Sequence, residues 1–148
     1  MPGRSRQTGA GGRAAGEAGR SAEEAAALYL RRLGYRIVSR NYRCRQGEID
    51  IIAWDGPNLV FVEVRQRTDG GLAAESIDSR KRRKIVAAAR HYLYRLAGQA
   101  AELPPCRFDA VCLALPPAGQ AEAGAGEAGA GETAITLLKN AFDLSDLY

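Results

Sequence analysis

GEIDIIAWDGPNLVFVEVRQR, Gly47 to Arg67, holds two runs rich in β-branched and aromatic residues on either side of Asp-Gly-Pro-Asn. Such residues suit a pleated, half-buried surface and DGPN is turn chemistry, so the stretch predicts a β-hairpin. An even, symmetric turn sets Ile52 opposite Phe61, Asp50 opposite Glu63 and Glu48 opposite Arg65, all on one face. The other face then pairs Ile49 with Val64, Ile51 with Val62 and Ala53 with Val60, an apolar surface for a helix to cover. Two carboxylates opposed in this way stand about 4.5–5.5 Å apart at Cβ and repel. A hard divalent cation with oxygen ligands, Mg²⁺ or Mn²⁺, would turn that repulsion into a binding site. The plainer alternative is a Glu48–Arg65 ion pair with Asp50 and Glu63 turned into water.

Working outward, Tyr35 to Tyr42 reads as a strand, Ile49 to Trp54 as a second and Leu59 to Arg67 as a third. Before them, Ser21 and Glu24 form a capping box, and Ala26, Tyr29, Leu30 and Leu33 mark one helical stripe that Gly34 ends. After them, Ile77, Lys81, Ile85, Ala88, Ala89, Tyr92 and Leu96 recur at helical spacing behind an N-cap at Ser76 or Asp78. Phe108 to Leu115 and Ala134 to Lys139 read as further strands, separated by the low-complexity run 116–132. The order αβββαββ predicts an α/β fold, one mixed sheet flanked by helices.

The 148 residues leave room for one domain, residues 21–148, preceded by a disordered basic tail at 1–20. That tail has no apolar core of a signal peptide and no stretch spans a membrane, so the default expectation is a cytoplasmic protein without membrane contact. Cys44, Cys106 and Cys112 lack metal-ligand spacing and read as free thiols. A net charge of +4 points mildly to a polyanionic partner. Its distribution says more. Arg80, Lys81, Arg82, Arg83 and Lys84 run together, and Arg43 and Arg45 flank the turn before the acidic hairpin, a surface suited to nucleic-acid phosphates. A solvated helix face is the ordinary alternative for such a run. Lys81 stands apart because it falls on the inward stripe. Glu23, three and seven residues before Ala26 and Leu30, also points inward and needs a cationic or water partner.

The motifs E-x-x-A-x-x-Y-L (Glu23 to Leu30), N-Y-R (Asn41 to Arg43), G-E-I-D-I-I-A (Gly47 to Ala53) and F-V-E-V (Phe61 to Val64) resemble the YraN-like family. Lys81, R-F-D (Arg107 to Asp109) and N-A-F (Asn140 to Phe142) extend the likeness. That family is assigned to the PD-(D/E)xK, or restriction-endonuclease-like, nucleases. The resemblance implies a restriction-endonuclease-like core, Asp50 and Glu63 as metal-binding acids together with the Val64 carbonyl, and Glu23 as an accessory catalytic acid. It places Arg65 where the motif has lysine. Arginine stays protonated and serves as a phosphate clamp rather than a base. The expected activity is Mg²⁺- or Mn²⁺-dependent endonucleolytic cleavage of nucleic acid, chiefly DNA in repair or recombination, including branched forms, with a homodimer suggested by related junction resolvases. The rival reading is a nucleic-acid-binding module on the same fold that lost cleavage at Arg65. A protein-interaction domain whose charges serve solubility is the third.

Overall fold

The computed structural model describes residues 11–67, 77–114 and 133–143. Its elements are α1 (Gly11–Arg32), β1 (Arg36–Cys44), β2 (Gly47–Asp55), β3 (Asn58–Arg67), α2 (Ser79–Ala97), β4 (Cys106–Ala114) and β5 (Ala134–Phe142), in the expected αβββαββ order. The strands form one mixed sheet ordered β1-β2-β3-β4-β5. Among the described strands only β3 and β4 run parallel, and the parallel pair requires the crossover that α2 supplies. Residues 1–10 of the expected tail, the run 116–132 and the candidate cap Ser76 lie outside the described residues.

The hairpin takes the register an even turn demands. Ile51 pairs with Val62, Ile52 with Phe61 and Ala53 with Val60. Alternation then divides the apolar residues between two layers. Ile51, Ala53, Val60 and Val62 pack with Ala22, Ala26, Ala27 and Leu30 of α1. On the other face Ile52, Phe61 and Phe108 meet Ile85, Val86, Ala88 and Ala89 of α2. Both faces of the sheet are therefore covered. Stacked rings continue this second layer, with Phe61 and Phe108 centroids 5.5 Å apart and Phe108 and Phe142 4.8 Å apart.

Two expectations about the first helix change. It begins at Gly11, so Ser21 is an interior residue and the capping box with Glu24 is not its start. Extending an existing helix costs less than nucleating one, and Ala14, Ala15 and Ala18 are strong helix formers that a search for apolar periodicity passes over. The buried stripe also differs: Ala22, Ala26, Ala27 and Leu30 lie inside, while Leu33 falls beyond the helix and is exposed. The C-terminal end is as expected. Gly34 has φ 92°, and the Gly34 and Tyr35 amides donate to the Arg31 and Leu30 carbonyls, a Schellman closure.

The second helix starts at Ser79 with Asp78 as its cap, the Asp78 carboxylate accepting from the Arg80 amide at 3.2 Å. Its contact with the sheet is unusually close at one point. A Cβ on Gly47 would lie 2.6 Å from the Lys84 carbonyl oxygen, a backbone atom that cannot rotate away. Gly47→Ala is expected to lower stability by about 1–3 kcal/mol by forcing the β1–β2 turn from α2. Urea denaturation measures this, and an unchanged midpoint would show that the contact yields freely. His91 belongs to the same packing: its Nδ1 lies 2.6 Å from the Tyr42 hydroxyl in a hydrogen bond that ties α2 to β1.

Candidate active site

The paired register of β2 and β3 runs from Asp55–Asn58 to Ile51–Val62 and stops there. Beyond it β3 continues alongside β4, where Arg65 sits beside Cys112. Side-chain alternation breaks at the same place. Ile49, expected on the face of Ile51, instead joins the α2 layer with Ile52. The expected continuous face thus holds for Ile51–Val62 and Ala53–Val60 but not for Ile49–Val64. Asp50 stands at this fork, and its Oδ2 accepts the Val64 amide at 2.8 Å, replacing a strand-to-strand bond with a side-chain one. Val64, expected to contribute its carbonyl, therefore meets Asp50 through its N–H.

Asp50 and Glu63 face each other in one cavity, close enough for each to bear on the other's charge. Burial first, and the Glu63 charge second, push the Asp50 carboxyl up to about 7. Glu63 is only 4% exposed and forms an ion pair with Lys81 Nζ from α2. Its Oε1 takes part in that ion pair without hydrogen-bond alignment. The alternative in which both acids turn into water does not occur. Nor does Glu48 meet Arg65 across the ladder; it pairs with Arg43 on β1 at 3.3 Å.

Glu23 faces the fork from α1. Burial raises its pKa, a hydrogen bond from Asn41 opposes that, and the Asp50 charge raises it further. Its Oε2 is buried and without a hydrogen-bond partner. Asn41 has φ 53°, a left-handed kink within β1 that asparagine tolerates better than most residues. Asn41 belongs to the N-Y-R motif, which by itself assigns it no role. An asparagine inside a β-branched strand run was the available signal.

A cavity of about 100 Å³ lined by Glu48, Asp50, Glu63, Lys81, Lys84 and Ile85 holds the acid pair. Glu48, Lys81 and Lys84 also line a larger groove of about 840 Å³, shared with Arg43, Arg45, Gly47 and Arg80. Of the basic residues singled out, Arg43, Arg45, Arg80, Lys81 and Lys84 thus gather along one channel. Arg82 is turned aside, its Nε donating to the Ile77 carbonyl at 2.6 Å. Arg83 and Arg65 are not among the lining residues.

Among the described residues no three His, Cys, Asp or Glu side chains cluster closely enough to hold a metal by themselves. That donor set does not suit Zn²⁺, which takes four protein ligands, or three plus water. It does suit Mg²⁺, or Mn²⁺ used similarly, because Mg²⁺ keeps several waters and needs only one or two carboxylates plus substrate phosphate oxygens. Asp50 and Glu63 would be those two carboxylates.

A second polar cluster lies on the α1 face. Asp109, fully buried, accepts from Arg107 Nε and Nη2 at 2.8 Å each and from the Asn140 amide at 3.0 Å. Arg107 Nη2 also reaches Asp55 Oδ2 at 2.8 Å and the Tyr35 hydroxyl at 2.9 Å. Every charge here has an internal partner, which marks a structural network rather than a ligand site. Cys44, Cys106 and Cys112 are free thiols, as expected. Among the described residues no helix is long and apolar enough to cross a membrane.

The family described as "Uncharacterised protein family UPF0102" matches residues 22–113. A UPF0102 protein of Cupriavidus taiwanensis is 54% identical over 99 residues, covering 64% of this chain and 72% of the relative. One from Nitrosococcus oceani is 50% identical over 95 residues, covering 63% and 75%. A Lachnoclostridium phytofermentans relative extends further, 42% identical over 127 residues, or 84% of this chain and 92% of its own length. The matched segment includes both strands of the acidic hairpin and all of α2.

Proposed function

The chain belongs to the UPF0102 family, and on that footing we propose that it is a YraN-like nuclease of the PD-(D/E)xK superfamily, a Mg²⁺- or Mn²⁺-dependent phosphodiesterase acting on DNA. One observation carries the reading: two carboxylates sit where β2 and β3 part, in a cavity that shares Glu48, Lys81 and Lys84 with a groove bearing Arg43, Arg45 and Arg80. A buried acid pair is expensive for a purely structural protein, and a fold gains nothing from opening a basic channel onto it.

Asp50 and Glu63 would hold the ion. Bound there, it would polarise the scissile phosphate and activate water. The chain's own residues do the rest. Arg43, Arg45, Arg80 and Lys84 receive backbone phosphates along the groove and set the scissile one over the acids. The Val64 amide fixes the Asp50 carboxylate, and the unpartnered Glu23 Oε2 would accept a hydrogen bond from water on the α1 side. Water oxygen bonds to phosphorus, and the bond to the leaving sugar oxygen breaks with its electron pair. One water proton ends on that oxygen.

Incubation with linear, flapped and four-way-junction DNA in Mg²⁺, Mn²⁺ or EDTA tests the proposal. Nicking is expected with either metal and not in EDTA, and Asp50→Ala and Glu63→Ala should each lower it by about 100-fold or more. Metal-dependent nicking that survives both substitutions would sink the site. Salt-sensitive binding with no nicking under any condition would leave the binding-module reading in its place.

A further inference from the structure

We propose that Lys81, delivered from α2, is the amine that works beside the acid pair where Arg65 stands in the strand, and that it also serves as the counter-ion of Glu63 until a divalent cation takes that oxygen. This rests on the phosphodiesterase reading and assigns one more residue to it.

The two partners differ in freedom. Glu63 is fixed in the middle of β3 and 4% exposed, whereas the Lys81 side chain is 57% exposed on a flexible four-carbon stem. Lys81 is therefore the partner that can leave. Its ammonium now occupies space beside Glu63 Oε1, in the cavity where a cation bound by Asp50 and Glu63 would lie. Two positive charges cannot share that oxygen closely, so arrival of Mg²⁺ or Mn²⁺ displaces the ammonium outward.

Outward from the cavity is the groove, because Lys81 lines both. A displaced Lys81 meets the phosphate held by Arg80 and Lys84, where it donates hydrogen bonds to a non-bridging oxygen as charge develops. Arg65 has no such position: it is held in the β3–β4 register beside Cys112 and does not line the cavity. A lysine four residues before Ile85 on the inward stripe reaches the acids because Gly47 lets α2 approach β2 at backbone distance.

Mn²⁺ binding by calorimetry, thermal unfolding in EDTA and nicking are compared for the full chain, Lys81→Met, Lys81→Gln and Arg80→Met. Lys81→Met is expected to bind Mn²⁺ roughly tenfold more tightly than the parent, since it removes a competing charge. It should melt lower in EDTA, recover with Mn²⁺, and nick about 100-fold more slowly. Lys81→Gln keeps a hydrogen-bond donor for Glu63, and should fold in EDTA while binding metal more tightly and cutting slowly. Arg80→Met weakens DNA binding and leaves Mn²⁺ affinity unchanged. Metal binding and nicking at parental levels in both Lys81 variants would overturn the assignment while leaving the acid site intact. Failure of the parent and the variants alike to bind Mn²⁺ would overturn the functional reading and this assignment together.

Discussion

Asp109→Ala is expected to destabilise the protein by about 3–5 kcal/mol, the cost of breaking a buried ion pair from one side. The substitution removes a fully buried carboxylate and leaves Arg107, itself only 13% exposed, with one acid in place of two. It also orphans the Asn140 amide, which Asp109 Oδ1 accepts at 3.0 Å, at the left-handed turn of β5 where φ is 53°. Arg107 is shared, so the damage spreads. Tyr35 before β1, Asp55 at the end of β2 and Lys139 on β5 all contact this group, and the remaining bonds must reorganise without their centre. Urea denaturation is the measurement. A loss below about 1 kcal/mol, the net worth of one ordinary hydrogen bond, would show that the network does not hold the strands together.

Asp50→Asn acts in the opposite direction on stability and is expected to cut nicking sharply. Burial and the neighbouring Glu63 hold the Asp50 carboxyl at about 7, above its unfolded value of about 3.9. The folded state therefore binds this proton more tightly than the unfolded state does. Its penalty is absent below the unfolded value, grows as pH rises toward the folded one, and is complete above it. Asparagine removes that penalty while its side-chain oxygen still accepts from the Val64 amide and its nitrogen donates to Glu63. In EDTA at pH 8 the variant should be more stable than the parent by about 1–3 kcal/mol, the scale of one buried polar group made whole. At pH 5 most of the difference should disappear, and nicking should fall by about 100-fold or more at either pH. Denaturation at both pH values checks it; a variant less stable than the parent at pH 8 would show that the acid pair is not strained.

The strand faces were legible because a two-residue period and an even turn leave little freedom: once Ile51 faces Val62, Phe61 must face Ile52. The acids followed from the same pattern. What could not be read was the break in the pattern. Ile49 changes face at the place where Asp50 bonds the Val64 amide, and no count of apolar residues reveals a side chain that takes a backbone partner. The start of α1 was hidden for another reason, since glycine and alanine carry no apolar stripe even where the backbone is helical. Lys81 was visible as inward-facing, but its pairing with Glu63 depends on how closely α2 approaches the sheet. Arg107 and Asp109 stood out as R-F-D, yet their partners Tyr35 and Asp55 lie 72 and 52 residues from Arg107 in the chain.

The fork between β2 and β3 has a mechanical consequence. Because the Asp50 carboxylate hangs on the amide of the residue next to Glu63, the two acids ride on one strand even though they belong to two. A pull on β3 carries both together and preserves their spacing. The cations of α2 reach the acids only through flexible side chains, as Lys81 does, so a phosphate entering the groove can reposition those side chains while the acids keep their places. Adjustment is left to the side chains of the helix, and alignment is kept by the sheet.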